Sequence, residues 1–272
     1  VAGTGEQRFT FDEVAELYDL VRPRYPHELF LDLIRLTDLK ADDRVLEIGC
    51  GTGQASEPLA RRGYSLLCLE PGPAMARVAR ERLARFANVE VVTASFEHWP
   101  LQPASFPLVM SAQAFHWVSP DVRFQKAAAA LRPGGHLAIF GATPVREATE
   151  LRRAMDRAYT ACAPQMTSSP TSSRWYSATS PTESLFAASG WFGAVARRSY
   201  HWSQQYKTAD YLNLMRTQSD HRLLPEGQRE TLLAELGKII DAHGGSMAIR
   251  YEAHLFVSPV LAGSGPKRLT RK

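Results

Sequence analysis

Short apolar runs and stretches of helical periodicity alternate along the first half of the chain. The runs predict strands near 44–48, 65–69, 89–93, 106–111 and 135–141. Apolar positions three and four apart predict helices near 54–62, 73–86 and 121–131. Strands apolar on both faces that alternate with helices imply βαβ units and a parallel sheet covered on both sides. Upstream, Phe11 to Leu20 and His27 to Leu36 also carry the helical period, and Arg22-Pro23-Arg24-Tyr25-Pro26 between them is stiffened by two prolines. Residues 1–9 are expected to be loose. After Phe140 the rhythm changes. Glu147–Cys162 reads as a helix, and Thr167–Thr182 as a Ser/Thr/Pro-rich loop around Trp175 and Tyr176. Ala194–Trp202 and Tyr251–Ser258 read as two last strands, with helices near 207–217 and 225–242 between them.

Glycines at every second position follow the first strand: Gly49-Cys50-Gly51-Thr52-Gly53. Without a Cβ the backbone can approach a ligand closely, and a strand–glycine–helix turn is the cofactor seat of open α/β sheets. A phosphate-cradling Walker loop needs a lysine after its last glycine, but Gln54 follows Gly53. A dinucleotide fingerprint needs a third glycine where Gln54 stands. The second apolar run, Leu66-Leu67-Cys68-Leu69, ends in Glu70, 21 positions after Gly49. A carboxylate at the end of a second strand suits ribose hydroxyls, so the expected ligand carries a free ribose.

Five segments carry a family resemblance: Val45–Gly53, Cys68-Leu69-Glu70-Pro71, Val91–Pro100, Met110–Trp117 and Leu131–Leu137. In this order and spacing, across about residues 10–141, the chain resembles the class I S-adenosylmethionine (SAM)-dependent methyltransferases of small-molecule type, akin to the trans-aconitate methyltransferase group. Arg216–His221 and Gly244-Gly245 resemble that subgroup more loosely. The resemblance implies a Rossmann-like α/β fold: a seven-stranded, mostly parallel sheet with helices on both faces and its last strand antiparallel. It implies one domain over 1–260, with a core of about 40–141 plus the strands near 194–202 and 251–258. A helical lid is expected over about 142–190 and 203–248, and a flexible basic tail over 261–272. The implied cofactor is SAM, leaving S-adenosylhomocysteine (SAH) as product.

The same resemblance places Glu47, Gly49, Cys50, Gly51 and Gly53 around the methionine end, and Glu70 on the ribose. Pro71 and Met75 are placed near the adenosine, Ser95 and Phe96 on the adenine, and Gln113 and Ala114 beside the cofactor. Ser95 stands where relatives often carry Asp, and so does Pro107. Tyr18, Arg24 and Tyr25 belong to an N-terminal region expected to close over SAM, where Arg24 pairs with a carboxylate of substrate or cofactor or is a surface residue. His116 and Trp117 follow the fourth strand at the carboxyl edge of the sheet, where ligands sit. His116 is a candidate general base, or a residue that orients the loop. Trp117, Trp175, Tyr176, Arg216 and His221 are candidate acceptor contacts, with packing and lid capping as alternatives; Tyr206 and Tyr211 add aromatic surface. A base contributes about 10²–10⁴-fold, whereas alignment reaches effective molarities of about 10⁵–10⁸ M. In-line methyl transfer dominated by positioning is therefore expected.

Charged residues are 22% and hydrophobic ones 44%, an ordinary balance for a globular protein. The net charge of +4 is matched by Lys267, Arg268, Arg271 and Lys272. Without them the body is neutral, which disfavours a nucleic-acid face. Three cysteines with no Cys-x-x-Cys disfavour a zinc site or disulfide framework, and a reducing, cytoplasmic setting is expected. No apolar run approaches the ~18 residues of a membrane span. The expected partner is a small-molecule methyl acceptor, with no nucleic acid, membrane or metal, for a monomer or homodimer. Three alternatives stay open: an RNA or protein methyltransferase, a nicotinamide-dependent oxidoreductase, and a non-catalytic SAM-binding protein.

Overall fold

The computed structural model describes residues 8–166 and 175–262. Of the expected loose start over 1–9, loop over 167–182 and tail over 261–272, residues 1–7, 167–174 and 263–272 lie outside the described residues. The strands are β1 (Arg44–Ile48), β2 (Ser65–Glu70), β3 (Val89–Thr93), β4 (Phe106–Ala112), β5 (Leu131–Pro144), β6 (Ala196–Lys207) and β7 (Ser246–Pro259). They form one seven-stranded sheet in the order β3-β2-β1-β4-β5-β7-β6. Pairs among the first five are parallel, and β7 runs antiparallel to both β5 and β6. This is the Rossmann-like sheet the motif order implied.

Side chains of successive strand residues point to opposite faces, so two cores flank the sheet. Val45, Leu66, Cys68, Leu108 and Phe140 meet Leu29, Phe30 and Leu33 of α2 (His27–Thr37) and Leu59 of α3 (Ser56–Ala60). Their neighbours Leu46, Leu67, Leu69, Val109 and Ile139 meet Phe96, Trp99, Phe115 and Phe124. A third core joins Val21 of α1 (Ala15–Val21) to α6 (Glu150–Cys162), α8 (Thr208–Arg216) and α10 (Glu226–Ala242). It includes Met155, Leu214, Leu232 and Leu236, all buried.

The structure departs from the sequence pattern at several ends. The first helical stretch divides into a 3-10 helix, Arg8–Val14, and α1. The helix α5 (Arg123–Ala130) stops before β5, which begins at Leu131 and contains Gly134-Gly135. Pro107 is the second residue of β4, and the β4–β5 register shifts between Phe106 and Leu108; proline has no N–H to give the ladder. Residues 142–144, 203–207 and 246–248, expected in the lid, are strand: β6 and β7 stay paired out to Lys207 and Ser246, whereas β5 leaves β7 at Tyr251. A two-stranded ribbon thus projects beyond the sheet and carries α8, α9 (Ser219–Arg222) and α10 at its end. The helix α7 (Thr182–Ser189) lies on the sheet flank, where Phe186 packs edge-on against Phe124 and Phe192, both at 5.4 Å.

Candidate active site

The carboxyl ends of β1, β2 and β4 open into a cleft whose wall includes Ile48, Gly49, Cys50, Gly51, Thr52, Gln54 and Ala55. The β1–α3 turn needs its glycines: Gly49, Gly51 and Gly53 have φ of 68°, 58° and 82°, a region L side chains disfavour. A Cβ on Gly49 would also lie 2.5 Å from the Ala114 Cβ. The Gly49 and Cys50 N–H groups both donate to the Leu69 carbonyl, at 2.9 and 3.0 Å. Gly53 is outside the cleft wall; a Cβ there would meet Leu83 Cδ1 at 2.9 Å, so it shapes the turn.

Glu70 is buried at the end of β2. One carboxylate oxygen accepts from the Gly51 N–H at 2.8 Å and the other from the Gly72 N–H at 2.9 Å. Those bonds fix the carboxylate at the mouth of the glycine turn. Glu47 is fully buried behind the turn. Its Oε2 accepts from the Ser56 hydroxyl at 2.5 Å, while Oε1 has no hydrogen-bond partner. Burial raises its pKa to about 7, with the Ser56 bond opposing and the Glu70 charge adding to the rise. The buried Thr52 Oγ1 is also unpartnered.

Pro71, Met75, Ala94, Ser95, Phe96 and Glu97 continue the wall. Ser95 Oγ lies 2.8 Å from His98 Nδ1, and Phe96 stacks on Trp99. Opposite them, Gln113 takes a positive φ of 57°. Its amide staples the turn to β5, donating to the Ala142 carbonyl at 3.1 Å and accepting from the Ala142 N–H at 3.3 Å. It also accepts from the Tyr25 hydroxyl at 3.3 Å. Ala114, His116 and Trp117 complete this side.

The roof comes from the N-terminal segment and from Gln218 and Ser219 at the start of α9. Asp12 accepts from the Ala74 and Met75 N–H groups at 2.7 and 2.9 Å, capping α4 (Pro73–Leu83) from a distance and fastening Phe11 and Tyr18 over the cleft. Arg22, not Arg24, lines the cleft. Its Nε donates to Thr217 Oγ1 at 3.0 Å and its Nη2 to the Thr217 carbonyl at 2.5 Å, with the guanidinium 4.5 Å over the Tyr18 ring. The intervening Pro23 turns Arg24 to the outside, 3.6 Å from Glu57. There, Glu57 gathers Arg24, Arg61, Arg82 and Arg85 in an open surface depression. That depression is a salt-bridge network away from the glycine turn.

Several candidate acceptor contacts lie outside the cleft wall. Arg216 bonds Asn213 and Glu230, each at 3.1 Å, within the lid. His221 is buried between Asp220 and Tyr159, at 2.8 Å from each, and it is the neighbouring Gln218 and Ser219 that reach the cleft. Trp175 lies beneath the Arg123 guanidinium, 4.6 Å away. Tyr176 is fully buried; it packs where Gly141 leaves room, since a Cβ there would be 2.4 Å from Tyr176 Cγ. Its hydroxyl lies 3.0 Å from His116 Nδ1, whereas His116 Nε2 is buried without a partner. Burial, helped by the Arg123 charge, pushes the His116 pKa down to about 4. Tyr206 and Tyr211 are buried packing residues. Among the described residues no His/Cys/Asp/Glu cluster could hold a metal, and no helix is long and apolar enough to cross a membrane.

Sequence reasoning missed Asp12, Arg22, Gln54 and Gln218-Ser219. A cation close to aromatic residues and before two prolines was the available signal for Arg22; the long-range cap of Asp12 had none.

Sheet order, glycine turn and strand-end acid define a class I SAM-dependent methyltransferase fold. Residues 45–135 match the family described as "Methyltransferase domain". An uncharacterised methyltransferase of Mycobacterium tuberculosis is 33% identical over 134 residues, 49% of this chain and 52% of its own length. A malonyl-[acyl-carrier protein] O-methyltransferase of Geobacter sulfurreducens is 36% identical over 103 residues, 36% of this chain and 39% of its own. The chain thus spans about half the length, or less, of these curated relatives. A solved structure from Anaeromyxobacter dehalogenans, provisionally assigned as a type II methyltransferase, has TM-score 0.64 and 25% identity over 88% of this chain and 97% of its own. Residues 45–135 thus carry a methyltransferase domain, in a fold shared with the class I SAM-dependent methyltransferases.

Proposed function

We propose that this chain transfers a methyl group from SAM to a small organic acceptor held between the glycine turn and the lid. The observation that carries this reading is Glu70, oriented by two backbone N–H groups at the mouth of a turn that tolerates no Cβ at Gly49. The residues fit the cofactor: Glu70 would face its ribose, Glu47 would set an unpartnered buried oxygen behind the methionine end, and Phe96 would offer an adenine face. SAM, when bound, supplies a methyl group already activated by sulfonium charge. The chain's own part is then to align the acceptor and exclude water, with Tyr18, Tyr25 and Trp117 as walls and the lid as cover.

Arg22 is the one arginine or lysine on the described cleft wall; it bonds Thr217, and its charge also acts on the Asp220 carboxylate. This favours an acceptor, or a cofactor end, that carries an anionic group. A second reading is a carrier-tethered acyl acceptor, favoured by the named activity of the Geobacter relative. The three free cysteines support a reducing, cytoplasmic setting; a monomer or homodimer is part of the same proposal.

Calorimetry with SAM, SAH and NAD, followed by a metabolite and acyl-carrier screen for mass gains of one methyl, tests the proposal. Tight SAM binding and a methylated small acceptor are expected. Preferred NAD binding would sink the methyltransferase reading; methylation of RNA or intact protein alone would sink the substrate class.

Glu47 adds a pH signature. With its pKa near 7, the carboxyl is protonated in mildly acidic solution. A cationic methionine end favours the ionised form, so binding releases a proton below that pKa. SAM affinity should rise by up to about tenfold per pH unit up to neutrality and then level off. Calorimetry in buffers of different ionisation heat reads the released proton directly, and Glu47→Gln should flatten the profile. A pH-independent affinity in the native chain would detach Glu47 from the cofactor.

A further inference from the structure

The two nitrogens of His116 are in different situations. Nδ1 lies 3.0 Å from the Tyr176 hydroxyl. Nε2 belongs to a side chain on the cleft wall, is buried, and has no hydrogen-bond partner. Tyr176 decides which nitrogen carries the proton. The backbone N–H groups of His116 and Phe115, at the start of a 3-10 turn, act electrostatically on its oxygen, and its ring is fully buried. With N–H donors already facing the oxygen, the hydroxyl hydrogen is left to donate, and Nδ1 is the acceptor in reach. A neutral imidazole that accepts at Nδ1 carries its hydrogen on Nε2. Burial and the nearby Arg123 charge keep the ring neutral, so no second proton returns to Nδ1.

We infer that Tyr176 locks His116 as an Nε2–H donor, and that this hydrogen receives an oxygen of the methyl acceptor in the cleft. His116 then orients the acceptor and takes no proton from it. Tyr176, which touches neither cofactor nor acceptor, is a positioning residue. An acceptor served in this way brings its own anionic oxygen, and a carboxylate meets that need together with the Arg22 charge. The group transfer balances without a base. One oxygen–carbon bond forms, the carbon–sulfur bond breaks with its electron pair left on sulfur, and no proton moves.

The inference rests on the methyltransferase reading of the cleft, and its test separates the two. Long-range nitrogen–proton NMR on the ¹⁵N-histidine-labelled full chain reads the tautomer directly, with His116→Gln or His116→Asn assigning the signal. The expected result is a bare Nδ1 and a protonated Nε2 at every pH from about 5.5 to about 8.5. Tyr176→Phe should redistribute the proton between the two nitrogens. In SAH-loaded protein, acetate should shift the His116 Nε2–H saturably, while chloride at equal ionic strength should not. A proton on Nδ1, or an Nε2–H blind to acetate with SAH bound, would overturn the inference. Absence of SAH binding with the Nε2–H tautomer intact would instead tell against the methyltransferase reading.

Discussion

Gly49→Ala should abolish measurable SAM binding and destabilise the chain by about 2–5 kcal/mol. Two costs add. Alanine at a φ of 68° pays the left-handed penalty of about 1–2 kcal/mol. Its Cβ, 2.5 Å from the Ala114 Cβ, also forces the β1 and β4 turns apart, an overpacking cost of about 1–3 kcal/mol. The costs are separable because only the second depends on Ala114. Ala114→Gly in the Gly49→Ala background should recover the steric part and leave the dihedral part. Urea unfolding of the four-member cycle measures this, and strictly additive effects would show that the two turns do not touch.

Glu70→Ala is expected to weaken SAM at least about a hundredfold. Two charge-assisted hydrogen bonds to a ribose are worth about 1.5–3 kcal/mol each, and about 2.7 kcal/mol corresponds to that factor. The geometry adds a second loss, since the same carboxylate holds the Gly51 and Gly72 N–H groups. Glu70→Gln should fall between, because its amide turns one acceptor oxygen into a donor facing an N–H. Calorimetric titration of both variants decides this; native affinity in Glu70→Ala would remove Glu70 from the cofactor site.

The cofactor half was legible because its signals are local. Apolar runs mark β1 to β4 nearly to the residue, and the Gly49–Gly53 spacing and Glu70 needed only sequence distance to be read. The lid was less legible because its logic is long-range. The β6–β7 ribbon depends on pairing partners some forty residues apart, and its half-polar strands carry no continuous apolar run. Arg24 and Arg22 illustrate the same limit: two arginines flank one proline, and only the path of the chain determines which faces inward. Tyr176 looked like pocket surface by composition, yet the absent side chain of Gly141 draws it fully inside.

The ribbon has a consequence for how such a protein can change its chemistry. Helices α8, α9 and α10 enter and leave through Lys207 and Ser246, which face each other at its end. An insertion whose two ends are adjacent strand partners can be lengthened, trimmed or exchanged with little disturbance to the frame that accepts it. On the proposed reading, the helices at the ribbon's end can therefore diversify as a cassette while β1, β2 and β4 keep one cleft, and a graft made at 207 and 246 is the natural cut for redesigning selectivity.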